Sequence, residues 1–60
     1  MKQNMPFDQW MNRVDIAISN ICYGYTSRDI DDWTYNADYN ARLRPTNSAR
    51  RALRNAGLVL

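Results

Sequence analysis

The sequence predicts an all-α fold, a small three-helix bundle whose central helix packs against both others. Three observations carry this. Apolar residues recur at steps of three and four in three separate segments, the spacing of one helical face. Only two Gly and two Pro occur in sixty residues, which argues against a turn-rich β fold and against disorder. Polar capping signals precede the second and third segments, at Thr26-Ser27 and at Thr46-Asn47.

Residues 1–5 read as a polar lead-in. The first helix is expected over Pro6–Tyr23, with Pro in its first turn, where a missing N–H costs nothing. Phe7, Trp10, Met11, Val14, Ala17, Ile18, Ile21 and Cys22 fall on one side. Asp8, Asn12, Asp15 and Ser19 fall mostly on the other. Ile16 lies opposite the apolar stripe and Tyr23 near it. Gly24 is the expected stop, because Gly tolerates a left-handed conformation after a helix.

The second helix is expected over Arg28–Leu43. Thr26 and Asp29 are three apart, the spacing of a capping box. Asp29, Asp31 and Asp32 place negative charge where the helix dipole favours it. Ile30, Trp33, Ala37 and Ala41 form one line, and Tyr35, Tyr39 and Leu43 a second. Two stripes suit a helix with two neighbours.

Pro45 disfavours helical geometry at Arg44 and separates the third helix, expected over Asn47–Ala56 and capped by Thr46 or Asn47. Ala49, Ala52, Leu53 and Ala56 make a thin apolar stripe, and Gly57 closes it. Leu58-Val59-Leu60 is an apolar tail expected to fold back on the core. The whole chain, 1–60, reads as one domain. Its core should include Phe7, Trp10, Val14, Ile18, Ile21, Ile30, Trp33, Ala37, Leu53 and Ala56.

Composition narrows function. There is no His, so no side chain has an ordinary pKa suited to acid–base work near neutrality. The single Cys22 has no His to activate it. No glycine-rich phosphate loop is present. The chain is therefore not expected to be an enzyme. One Cys excludes an internal disulfide, and without His a zinc site is not expected. No cofactor or metal is expected. The first residues lack the apolar run of a signal peptide, and no stretch has the length of a membrane span. The expected location is cytoplasmic, with no membrane partner.

Binding functions remain. Large aromatics dominate binding hot spots, and so short a chain cannot enclose all of its own. A protein partner, or a second copy of the chain, would use Asp31, Tyr35, Tyr39, Ile16 and Tyr23. The alternative is nucleic acid. From Arg42 onward the chain carries Arg42, Arg44, Arg50, Arg51 and Arg54 and no acidic side chain. A net charge of +2 is modest beside the basic footprint expected of a nucleic-acid binder. The protein partner is therefore preferred.

Phe7, Trp10, Val14 and Asp15, then Ser27, Asp29-Ile30, Asp32-Trp33 and Tyr39, then Pro45, Ala49, Ala52-Leu53 and Ala56-Gly57 together resemble a pattern in short, uncharacterised helical proteins of bacteriophages and plasmids. Such proteins often carry acidic residues in the last helix, where this chain has Arg50, Arg51 and Arg54. The resemblance brings no established activity. It implies a mobile-element origin and an accessory role, such as modulation of a host complex.

Overall fold

The computed structural model describes residues 5–59. It holds α1 (Phe7–Ile21), a 3-10 turn (Ser27–Asp29), α2 (Tyr35–Asn40) and α3 (Pro45–Asn55). No strand occurs among the described residues.

The fold is organised around α1. Its residues Trp10, Val14 and Ile18, four apart, are fully buried. They meet Ala49 and Leu53 of α3 in one core, with Ala52 also fully buried. The alanines of α3 let the two backbones approach closely. The α1–α3 pairing is the most extensive contact between elements, while short α2 touches both helices. Phe7, Ile30, Trp33 and Ala56 are half-buried.

Ile21 corrects the expected core, being 39% exposed. Its helical angle matches the stripe, but it sits on the last residue of α1. Among the described residues Arg50, Arg54 and Val59 share its cleft, and they leave it partly open. The chain leaves α1 through a β-turn closed by Tyr25 N–H to Cys22 carbonyl at 3.0 Å. Gly24 occupies the third position with φ +84°, which a type II turn requires and Gly supplies without strain.

The expected central helix over Arg28–Leu43 is corrected. The capping box of Thr26 and Asp29 forms, but it closes only a 3-10 turn. Ile30 is extended (φ −123°, ψ 170°). Thr34 (φ −81°, ψ 65°) centres an inverse γ-turn, with Tyr35 N–H donating to Trp33 carbonyl at 2.8 Å. The helix begins only after it. Ile, Thr and Trp lose rotamer freedom in a helix, and Asp competes with it through local hydrogen bonds, so Ile30–Thr34 is a poor helical stretch. With the long helix gone, its first stripe disperses. Ala37, expected in the core, and Ala41 are both exposed.

Helices α2 and α3 end alike, in Schellman motifs. After α2, Arg42 N–H bonds Tyr39 carbonyl and Leu43 N–H bonds Asp38 carbonyl, both at 3.0 Å. After α3, Gly57 N–H bonds Arg54 carbonyl and Leu58 N–H bonds Leu53 carbonyl. Both motifs need a left-handed residue, and the two take φ +64° at Arg42 and φ +77° at Gly57. Arg at that position costs about 1 kcal/mol relative to Gly. The Trp10 indole, donating to Leu43 carbonyl at 3.1 Å, pins this turn against α1.

The N-cap of α3 is Arg44 with Pro45 at the first helical position, and no side chain caps it. The expected caps Thr46 and Asn47 thus lie inside the helix. At the chain ends, residues 1–4 of the lead-in and Leu60 of the tail lie outside the described residues. Met5 packs against the core rather than standing apart. In the tail, Val59 packs on the core while Leu58 is 43% exposed.

Candidate functional site

The first group of expected partner residues is largely turned inward. Tyr39 stands edge-on to Phe7 (5.2 Å between ring centroids) and to Trp10 (5.4 Å). Its hydroxyl donates to Met5 carbonyl. It therefore serves the core edge. Tyr35 is half-buried, and its hydroxyl is enclosed with no hydrogen-bond partner among the described residues. Burial raises its pKa above 10.0, helped by the carboxylates of Asp15, Asp32 and Asp38.

The consequence is testable. A raised folded pKa means that the contribution of Tyr35 to stability is complete below the unfolded value near 10. It is lost as pH rises through the folded value, because the unfolded chain ionises first. Tyr35→Phe is expected to leave stability at neutral pH unchanged within about 1 kcal/mol, since no partner is lost. It should also flatten the alkaline decline. Urea midpoints of wild type and variant, compared at neutral pH and at about pH 11, check this.

Between these tyrosines lies a residue that sequence reading passed over. Asp38 is 3% exposed. Its Oδ2 accepts from the Trp33 indole N–H and from the Ser48 hydroxyl, both at 2.8 Å. Arg51 Nε stands 3.6 Å from the same oxygen, with its guanidinium 5.4 Å from the centre of the Trp33 ring. Asp38 thereby ties the extended segment, α2 and α3 together. Trp33, Ser48 and Arg51 all converge on one oxygen, which gives Asp38 an architectural role. A Trp at position 33 needs an acceptor if half-buried. That need, with a carboxylate one helical turn after the segment, was the available signal.

Ile16, Tyr23 and Asp31 do face solvent. Tyr23, in the turn after α1, is 97% exposed, and Ile16 is 61% exposed. Ile16 stands between two clefts. The larger, about 630 Å³, runs between α1 and the start of α3 and is lined by Gln9, Asn12, Arg13, Ala17, Asn20, Arg44, Pro45 and Thr46 beside Ile16 itself. The smaller is lined by Asn12, Asp15, Ser19, Asn20 and Thr26 on its other side. There Asp15 and Ser19 are already engaged. Asp15 Oδ1 accepts from Ser27 N–H at 2.8 Å, and the Ser19 hydroxyl donates to Tyr25 carbonyl at 2.6 Å.

The arginines do not form one stripe. Arg44 joins Arg13, a residue absent from the expected set, at the Ile16 groove. Arg50 and Arg54, one turn apart, flank Ile21 and Val59. Arg51 is held by Asp38, and Arg42 sits exposed in the turn between α2 and α3. Among the described residues, no cluster of three or more Cys or carboxylate side chains is placed to hold a metal ion. No described helix is long and apolar enough to cross a membrane. Comparison of the chain with protein-family models, with curated proteins and with solved structures found no match.

Proposed function

We propose that this chain is a non-catalytic binding module for a macromolecular partner, a protein in preference to a nucleic acid, acting through the face of α1 centred on Ile16. The observation that carries the reading is Ile16 itself. It is an aliphatic side chain 61% exposed, flanked on both sides by clefts rather than by a smooth polar face. A single exposed Ile is ordinary; one that lines two adjacent, amide-bordered clefts gives a partner's apolar side chains a surface to bury while the amides meet its polar rim. In this reading Tyr23 and Asp31 are further exposed side chains open to a partner, and Tyr35 and Tyr39 support the fold. A minimal three-helix bundle with short α2 as its wedge is the scaffold. Modulation of a host complex by a mobile-element protein is the form of this role that the sequence resemblance implies.

The test is Ile16→Glu. Circular dichroism and thermal midpoint should stay at wild-type values, because the side chain supports no core contact. Affinity for a captured partner should fall at least about tenfold, as for a central interface residue. Undiminished partner affinity in the folded variant would remove the α1 face from consideration.

A second reading is favoured by Arg50 and Arg54, exposed one turn apart on α3 with no acidic side chain later in the chain. If they neutralise phosphates, duplex binding should weaken steeply between about 50 and 200 mM salt. Arg50→Ala with Arg54→Ala should lower that slope by about two. A flat response would exclude it.

A further inference from the structure

We infer that the groove beside Ile16 takes an acidic amphipathic segment of the partner protein. The inference rests on the protein-binding reading and names the chemistry of its occupant. The groove's floor is aliphatic, made by Ile16, Ala17 and Pro45. Its cations are Arg13 and Arg44, both exposed, and no carboxylate of the described residues lines it. The described residues contain one ion pair, Arg51 with Asp38, so neither groove arginine is paired with a carboxylate among them. Asp15, the nearest acid in the neighbouring cleft, is turned to the loop by its bond to Ser27 N–H.

Each part of the lining selects a part of the occupant. The aliphatic floor removes apolar side chains from water. Arg13 and Arg44 offer planar forks that match carboxylates, the geometry in which Arg recognition is strongest. The amides of Asn12 and Asn20 both donate and accept, and can satisfy a peptide's main chain. Nucleic acid fits less well. The floor presents no aromatic ring for a base to stack on, and two cations make a thin track for a phosphate backbone.

The test uses the full chain, isotopically labelled, and synthetic amphipathic peptides that share one apolar pattern. Their polar positions are all Glu, all Gln or all Lys. The Glu peptide is expected to shift the amide signals of Asn12, Arg13, Ile16, Asn20 and Thr46, and to bind at least about tenfold tighter than the Gln peptide at low salt. The double variant Arg13→Glu, Arg44→Glu, shown folded by its undisturbed core signals, should reverse the order in favour of the Lys peptide.

Equal binding of all peptides at these signals would overturn the acidic occupant while leaving the Ile16 face as a protein site. No shift of these signals with any peptide, joined to undiminished partner affinity in Ile16→Glu, would overturn both. Shifts produced by duplex DNA instead would overturn the inference. So would shifts that grow with protein concentration alone, since the occupant would then be a second copy presenting its exposed Asp29, Asp31 and Asp32.

Discussion

Asp38→Ala is expected to leave most of the chain unfolded at 25 °C, read as loss of helical circular dichroism and of a cooperative urea transition. The carboxylate is buried, and one oxygen serves two short hydrogen bonds. Removing it strands the Trp33 indole N–H and the Ser48 hydroxyl, and Ser48 is fully buried. Hydrogen bonds to a charged acceptor contribute about 1.5–3 kcal/mol each, and stranded buried donors cost about as much. The half-exposed Arg51, at 3.6 Å, adds under about 1 kcal/mol. The expected loss is therefore roughly 3–5 kcal/mol, as for breaking a buried charged network by removing one partner. The single core of a chain this short rarely supplies more than about 3–5 kcal/mol, so little or none remains. Asp38→Asn separates acceptor from charge. Its amide oxygen can still accept from Trp33 and Ser48, so a folded protein weakened by about 1–2 kcal/mol is expected. A fully folded Asp38→Ala variant would show that Trp33 and Ser48 find other partners, and that α2 is held without the Asp38 bonds.

The same residue marks where the sequence stopped being legible. α1 and α3 were readable because their apolar faces follow the helical period and their partners lie on that face. The capping box of Thr26 and Asp29 and the left-handed Gly57 were readable because both are local chemistry. The stretch between them misled because periodicity says which residues share a face only if the chain is helical. Ile30, Trp33, Ala37 and Ala41 fit that period, yet the γ-turn at Thr34 and weak local propensity break it. Asp38 was passed over because a carboxylate is ordinarily solvated. Its burial depends on Trp33 arriving from the extended segment and on Ser48 and Arg51 arriving from α3. The Ile16 groove was half legible. Ile16 opposite the stripe could be seen in projection, but pairing Arg13 with Arg44 needs the α1–α3 crossing, which no local pattern encodes.

Trp10→Ala is the second change expected to abolish folding, and a gentler substitution at the same site can divide its causes. Trp10 is fully buried and is the largest enclosed side chain. It stacks on Phe7 at 5.8 Å, meets Tyr39 edge-on, and gives its indole N–H to Leu43 carbonyl. Truncating such a residue costs about 3–5 kcal/mol in transfer and cavity terms, again comparable with the roughly 3–5 kcal/mol that so small a core supplies. Trp10→Phe keeps most of the apolar volume but removes the donor to Leu43. That carbonyl belongs to the turn in which Arg42 is held left-handed at a cost of about 1 kcal/mol relative to Gly. The indole bond and the Schellman bonds together therefore hold a turn its own sequence disfavours. Trp10→Phe alone is expected to cost about 2 kcal/mol. In the background of Arg42→Gly, where the turn forms without strain, the same substitution should cost measurably less. A double-mutant cycle on urea midpoints reads the coupling. Simple additivity would mean that the indole bond to Leu43 and the strain at Arg42 act independently, and that the indole does not hold the left-handed turn.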